Sequence, residues 1–152
     1  LRQVLPIDYP AGRMKIADES DAQIAADMHN AMVEEVILGP RRLSTAESEL
    51  ENIRLKRTFF WVDGGELVSI TNANRPQIKS ICVGGVYTPP RNRRKGYARA
   101  LVAEVSKELL ARGYEMTNLF TDLSNPTSNK IYQQIGYQPV CDYHQYEFVD
   151  QV

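Results

Sequence analysis

Apolar positions change period several times along the chain, and each change marks an element. Met14-Lys15-Ile16-Ala17 alternates and predicts a short strand. Ser20-Asp21-Ala22-Gln23 has the Ser-x-x-Gln form of a capping box. Ile24, Met28, Met32 and Val36 then recur every four residues, so a helix is expected from there to the Gly39-Pro40 stop. Ser44-Thr45-Ala46-Glu47 repeats the capping signal for a second helix, with Leu50, Ile53 and Leu55 inward. Phe59–Val62 and Glu66–Ile70 are strand-like runs joined by Asp63-Gly64-Gly65, a hairpin signal, and Thr71–Gln77 reads as a polar loop. Ile81–Thr88 is apolar on both faces and predicts a central strand, with Gly84-Gly85 inside it pointing to a bulge or a close backbone approach.

Helical spacing returns from Tyr97 to Ala111, where Leu101, Val105 and Leu109 form one stripe closed by Arg112-Gly113. Glu115–Thr121 predicts a further strand. Asn125-Pro126 supplies an N-cap with proline at the first helical position, and that helix ends at Gly136. Tyr137–Val140 and Tyr143–Val149 are expected as closing strands. Helices inserted between strands that include antiparallel hairpins make an α+β (mixed α/β) layer fold.

The chain has 152 residues, 43% apolar and 24% charged, which fits one domain of ordinary make-up. We read that domain as residues 12–152, with residues 1–11, which carry Pro6 and Pro10 and no period, as a linker or N-terminal extension from a longer parent. The 18 Lys and Arg against 19 Asp and Glu exclude a wholesale nucleic-acid or membrane-surface binder, whose partners call for a basic excess. The longest largely apolar uncharged run, Ile81–Pro90, falls short of the about 18 residues a membrane span needs. No secretory signal pattern is seen, and Cys82 and Cys141 read as reduced, buried thiols, so a cytoplasmic protein is expected.

Chemistry concentrates in Val86-Tyr87-Thr88-Pro89-Pro90-Arg91-Asn92-Arg93-Arg94-Lys95-Gly96-Tyr97-Ala98-Arg99, where a strand passes into a helix with five cations between Arg91 and Arg99. The first N–H groups of a helix lack intrahelical partners, and the macrodipole adds roughly half a positive charge there, so an anion is the natural occupant. Gly96 and Ala98 let a pyrophosphate approach the peptide N–H groups while Arg93, Arg94 and Lys95 screen its charge; a solvated basic loop is the alternative. Neither the P-loop pattern nor the dinucleotide Gly-x-Gly-x-x-Gly is present.

Arg93-x-x-Gly96-x-Ala98, after a Val-Tyr-Thr-Pro-Pro strand end, resembles the acyl-CoA pyrophosphate loop of the GNAT superfamily of N-acetyltransferases. Tyr97 matches a common variant, and Ala98 stands where many members carry a second glycine. About 27 residues beyond Ala98, the run from Asn125-Pro126 through Ser128, Asn129 and Tyr132 to Gly136-Tyr137 resembles the superfamily's Asn-x-x-(Ser/Ala)-x-x-x-Tyr-x-x-x-Gly-(Phe/Tyr) segment. The likeness is specific from Ile81 to about Val149, and from Met14 to Ile70 it is one of pattern.

The resemblance implies a central, mostly antiparallel mixed sheet of six to seven strands flanked by about four helices. It further implies that the Ile81 and Glu115 strands splay apart near Val86. Acetyl-CoA is then the cosubstrate, with its pantetheine against the backbone of Val86, Tyr87 and Thr88 and one N–H there polarising the thioester carbonyl. Its diphosphate falls to Arg93, Arg94, Lys95, Gly96, Tyr97 and Ala98, and its arm to Asn125, Ser128 and Asn129. Tyr132 becomes the general acid to the departing thiolate, because a tyrosine of pKa about 10 is protonated at neutral pH and a thiol is near 8.5. Transfer is direct, the cysteines are not nucleophiles, no metal is expected, and a homodimer is a habit of the superfamily.

The acceptor is a small-molecule or peptide amine, which must lose a proton before attack. Glu34, Glu35, Glu47, Asp122, His29 and His144 all stay open as the base. Glu34, Glu35 and Asp122 are also the candidates for holding the acceptor, and their charge favours a cationic one. Two other readings stand beside this one: a CoA-binding domain with a regulatory purpose, and a module holding RNA or another polyanion on the Arg91–Arg99 patch.

Overall fold

The structure is a computed structural model and describes residues 1–36 and 43–144. The expected Gly39-Pro40 stop and the Tyr143–Val149 strand from residue 145 onward lie outside the described residues. Strand β1 (Arg13–Ile16) leads through a short 3-10 turn (Glu19–Asp21) to α1 (Ala22–Val36) and α2 (Ala46–Arg54). Strands β2 (Thr58–Asp63), β3 (Glu66–Asn74) and β4 (Ser80–Tyr87) follow. A second 3-10 turn (Pro90–Asn92), α3 (Tyr97–Ala111), β5 (Met116–Asn118) and α4 (Pro126–Ile135) complete the described chain. The sheet runs β1-β2-β3-β4-β5, antiparallel up to β4 and parallel between β4 and β5. This is the α+β fold expected, with five strands among the described residues rather than six or seven.

Alternation along β2 sends successive aromatic rings to opposite faces. Phe59 packs with Val83, Leu101, Val105, Leu109 and Ile135 under α3 and α4, while Phe60 packs with Ala25, Met28, Ile53 and Ile70 under α1 and α2. Each ring is fully buried, so each face is anchored by roughly 1.5–3 kcal/mol of apolar transfer at this strand alone. Residues 1–11 lie against the α3/α4 side. Thr117 N donates to Leu1 O and Leu5 N donates to Ile135 O, both at 2.9 Å, and Tyr9 stacks on Trp61.

Several local expectations are corrected. The first capping box is built two residues earlier than Ser20, by Asp18 with Asp21, and the second is Thr45 with Ser48, because in each case the side chain beside the turn reaches the free N–H groups first. Ile24 is exposed; α1 buries Met28 as expected, and with it Ala22, Ala25, Ala26 and His29, since small residues allow the helix to sit close to the sheet. Leu55 is exposed at the end of α2. The polar run Thr71–Asn74 is strand, not loop: Thr71 and Asn72 pair with Phe59 and Thr58, and sheet pairing overrides their polarity. Glu115–Thr121 shortens to Met116–Asn118, and Tyr137–Val140 forms no strand; among the described residues no neighbouring strand offers a ladder there. Cys82 is buried as expected, whereas Cys141 is exposed, and both are free. Among the described residues no helix is long and apolar enough to cross a membrane.

Candidate active site

The parallel ladder between β4 and β5 holds only Ser80–Met116, Ile81–Thr117 and Cys82–Asn118. From Val83 to Tyr87 strand β4 runs on without β5 beside it, so the splay opens four residues before Val86. On its other edge, Asn72 aligns with Gly84 and Ile70 with Tyr87, so β4 carries one residue more than β3 across that step. Gly85 and Val86 therefore have no register partner in either neighbour. The bulge turns at Gly85, whose φ of +63° is open to glycine and strained for other residues. Around it this chain holds its own backbone in place. Thr71 Oγ1 donates to Gly84 O at 2.9 Å, Ser69 Oγ to Tyr87 O at 3.0 Å, and Arg93 Nε to Thr88 O at 2.9 Å.

Beyond Pro90–Asn92 the backbone turns through Arg94 (φ +64°) and Gly96 (φ +84°) into α3. Gly96 is the N-cap residue, so no side chain caps this helix, and its first N–H groups stay open to an anion. Two buried donors flank the turn without a partner among the described residues: Asn92 Nδ2 and Arg99 Nε. The five cations divide. Arg91 pairs with Glu66 at 2.6 Å, Arg93 with Glu35 at 2.5 Å, and Arg99 gives its terminal nitrogens to Gln134 Oε1 and Asp8 O. Arg94 and Lys95 are exposed and make no ion pair among the described residues, although Lys95 lies over the Tyr97 ring. Tyr97 is buried, with its hydroxyl donating to Asp63, and Ala98 is half-buried. Open peptide N–H groups, unpartnered donors and two unpaired cations fit a diphosphate, which is what the pyrophosphate end of CoA would bring.

Asn125 caps α4 by accepting from Ser128 N at 3.1 Å, and Asn129 Nδ2 donates to Asp122 O. Asp122 in turn accepts from Ser124 N and Oγ; the Ser124 hydroxyl above all keeps its carboxyl below the ordinary value. Tyr132 is half-buried on the inner side of α4, edge-on to Tyr137 with ring centroids 6.2 Å apart. Burial first, then the neighbouring Tyr137, push its hydroxyl up to about 12. It therefore keeps its proton far above neutral pH. Against a thiol near 8.5, full transfer of that proton is uphill by roughly 5 kcal/mol, so a hydrogen bond to a sulfur anion is the larger service it can give.

The acidic candidates are scattered. Glu34 and Glu47 are exposed, on α1 and α2. Glu35 engages both carboxylate oxygens, accepting from Tyr87 Oη at 3.0 Å and from Arg93; the Arg93 hydrogen bond is the main reason its carboxyl lies below the usual range. His144 is exposed. His29 is not. It is buried on α1, Nδ1 lies 2.9 Å from Glu49 Oε1, and Nε2 has no partner among the described residues. A β-carbon added to Gly85 would stand 3.4 Å from that Nε2. Glu49 is also buried; burial raises its carboxyl, but the hydrogen bond and charge of His29, with a hydrogen bond to Ser44, leave it net below its ordinary value. Sequence reading kept His29 only as one open candidate and missed Glu49. The signal was present: His29 follows Ala22 and Ala25 at helical spacing, and Glu49 precedes Ile53 by four.

A mixed sheet splayed beyond a central strand, with that strand leading into an uncapped helix at the mouth of the splay, defines the class: a GNAT acetyltransferase. The chain belongs to the FR47-like protein family, whose model matches residues 65–149. Among solved structures it is similar to yncA from Salmonella typhimurium with its cofactor acetyl-CoA (15% identity, 86% of this chain and 82% of that one, TM-score 0.76). It is similar also to the aminoglycoside N-acetyltransferase AAC(6')-Iy in complex with CoA (14%, 95% and 99%, TM-score 0.71). A third is the ribosomal-protein-alanine N-acetyltransferase from Brucella melitensis (21%, 82% and 83%, TM-score 0.72). No curated protein sequence matches the chain.

Proposed function

We propose that this protein moves the acetyl group of acetyl-CoA directly to a primary amine, in a ternary complex and without an acetylated enzyme. The observation that carries the reading is the continuity of β4's unpaired edge, from Val83 to Tyr87, with the uncapped start of α3 at Gly96. An extended pantetheine needs backbone partners along its length, and a diphosphate needs N–H groups at its end; β4 and α3 supply both in that order. Val86, Tyr87 and Thr88 would face the pantetheine. Arg94 and Lys95 would screen the diphosphate over the amides of Gly96, Tyr97 and Ala98, and Arg93 would join them on release from Glu35.

On α4, Asn125, Ser128 and Asn129 would border the cofactor arm, although Asn125 and Asn129 already serve to build their own helix start. Tyr132 would donate to the leaving sulfur, which needs a proton or a strong donor to depart. Cys82 is ill suited to be a nucleophile, because burial pushes its thiol up and away from the thiolate form. Free thiols at positions 82 and 141 suit a reducing compartment, in keeping with a cytoplasmic protein. The amine is the least specified part. AAC(6')-Iy acts, by its name, on aminoglycosides and the Brucella enzyme on a protein alanine. A small-molecule or peptide amine is therefore the class we assign, with Glu34 and Asp122 as the exposed acidic candidates near it.

The test has two parts. Acetyl-CoA is titrated by calorimetry, and free thiol is followed over a panel of spermidine, kanamycin and lysine- and alanine-terminated peptides. Micromolar binding with thiol release on one of them supports the reading. Binding without any release supports the regulatory CoA-binding domain instead, and no binding by a folded protein removes both. A polyanion-binding role has less to draw on, since Arg91, Arg93 and Arg99 are engaged within the chain.

A further inference from the structure

Six buried side-chain polar atoms lack a partner among the described residues, and four of them gather on one face of the sheet: His29 Nε2, Glu49 Oε2, Thr58 Oγ1 and Asn72 Oδ1. Thr58 and Asn72 are register partners in β2 and β3, on the same face as Phe60 and Ile70, which α1 and α2 cover. Asn72 aligns with Gly84, and Gly85 beside it lies against His29 Nε2. A continuous polar line thus runs from Glu49 through His29 to the bare-backbone stretch of β4, where that strand has left β5. Three of its four orphaned atoms are pure acceptors once the ring hydrogen sits on Nδ1, as a carboxylate at 2.9 Å requires. A buried acceptor without a donor is costly, so a line of them in front of the splay calls for an N–H bearing ligand or a proton.

We propose that His29, oriented by Glu49, is the base that takes the proton from the acceptor amine. The assignment rests on the acetyltransferase reading above and names the group that reading leaves open. Tyr132 packs on the α3/α4 side of the sheet and His29 on the α1/α2 side, with the unpaired edge of β4 between them. The two ends of the reaction are therefore served from opposite faces. The ammonium gives its proton to Nε2, and the freed nitrogen pair forms the C–N bond to the acetyl carbon. The C–S pair leaves as thiolate, hydrogen-bonded by Tyr132, as the nitrogen, cationic after attack, releases its second proton to solvent, and solvent protonates the thiolate on release. The imidazolium so formed is held by the Glu49 carboxylate until it returns its proton to water. A carboxylate fixing one ring nitrogen so that the other accepts is a familiar way to set a histidine base.

Among the titratable groups on the packed elements, Glu49 of α2 touches His29. Strand β4 carries Tyr87 and Cys82, both pushed up mainly by burial, and Tyr87 donates to Glu35 of α1, which pairs with Arg93. Asp21, in the 3-10 turn before α1, pairs with Lys15.

The experiment uses the full chain, His29→Gln, His29→Ala and Glu49→Gln. With the amine found active in the panel, His29→Gln is expected to lower kcat by about 100-fold while acetyl-CoA binding by calorimetry is unchanged. Glu49→Gln removes the charge that favours the imidazolium, so the acid limb of its kcat profile moves to lower pH, with a smaller loss. Independently of turnover, ring ¹⁵N spectra of the wild-type protein are expected to show hydrogen on Nδ1 and not on Nε2. A folded His29→Gln with wild-type kcat and pH profile, or a ring protonated at Nε2 alone, overturns the assignment. Should His29→Ala fail to fold, His29→Gln and the spectra decide. A wild-type protein that binds acetyl-CoA but acetylates nothing overturns the reading beneath it and this assignment with it, whereas a working enzyme indifferent to His29 overturns the assignment alone.

Discussion

Two regions of this protein leave polar atoms unsatisfied, and they differ in sign. Around the turn into α3 the orphans are donors, Asn92 Nδ2 and Arg99 Nε, beside open helix N–H groups. Under α1 and α2 they are mostly acceptors, on His29, Glu49 and Asn72. The core between α3 and the sheet shows how a purely structural region behaves: Ser106 donates to Val102 O and shares a hydrogen with Tyr137 Oη, which meets Thr117 Oγ1 at 2.9 Å. Each of these three hydroxyls is used. Unmet donors suit an anion, and unmet acceptors suit an amine or its proton, so the pattern of what the fold declines to satisfy matches the two ends of the proposed acetyl transfer.

The bluntest way to break this comparison is at the donor end. Gly96→Glu puts a side chain at a φ of +84° and a negative charge at the helix start, and acetyl-CoA affinity by calorimetry is expected to fall at least about 100-fold with the fold intact. Unchanged affinity would mean that the turn holds no anion. Next in size is Phe60→Ala, which opens the α1/α2 face and is expected to cost about 3–5 kcal/mol in chemical unfolding.

Tyr132→Phe removes the proposed donor to sulfur while keeping the packing. A kcat loss on the order of 10-fold with binding preserved is expected, below the usual range for full proton transfer, because a hydroxyl at about 12 shares rather than yields its proton. Equal turnover would withdraw its role. The sharpest contrast is a matched pair. Ser106→Ala breaks a satisfied network and should destabilise by about 1–2 kcal/mol, whereas Thr58→Val removes an unsatisfied hydroxyl and should stabilise by up to about 1 kcal/mol. Two losses would show that the faces do not differ.

The smallest effect is one of pH. The carboxyls of Glu35 and Glu49 lie below their ordinary values in the folded chain, so the stability they contribute is complete above the unfolded value of about 4.3. It is lost as pH falls through the folded values. Replacing Glu35 with Gln should flatten unfolding free energy against pH below that point only slightly, because its side chain is 39% exposed and solvent screens the Arg93 pair.

Much of this was legible along the chain. The bounds of α3, Tyr97–Ala111, follow from a stripe and two glycines, and α4 follows from Asn125-Pro126 and Gly136, because helix ends are decided by neighbours within four residues. The small residues at the turn into α3 were visible for the same reason. The fate of the cations was not. Arg93 and Glu35 are 58 positions apart, Arg91 and Glu66 25, and no local pattern pairs them. Thr71–Asn74 misled because its polarity speaks for a loop while its neighbours in the sheet hold it as strand.

The sequence by itself determined most of the elements, the bounds of α3 and α4 and the glycine turn that leads into α3, all of them set by backbone groups and side chains within a turn or two of each other. Only the tertiary structure decided that β4 parts from β5 after Cys82, and that His29 and Glu49, 20 residues apart, meet against Gly85. Those facts depend on how α1 and α2 lie on the sheet, and that placement is fixed by burial summed over Ala25, Met28, Ile53 and Phe60 together, a quantity that no single segment carries.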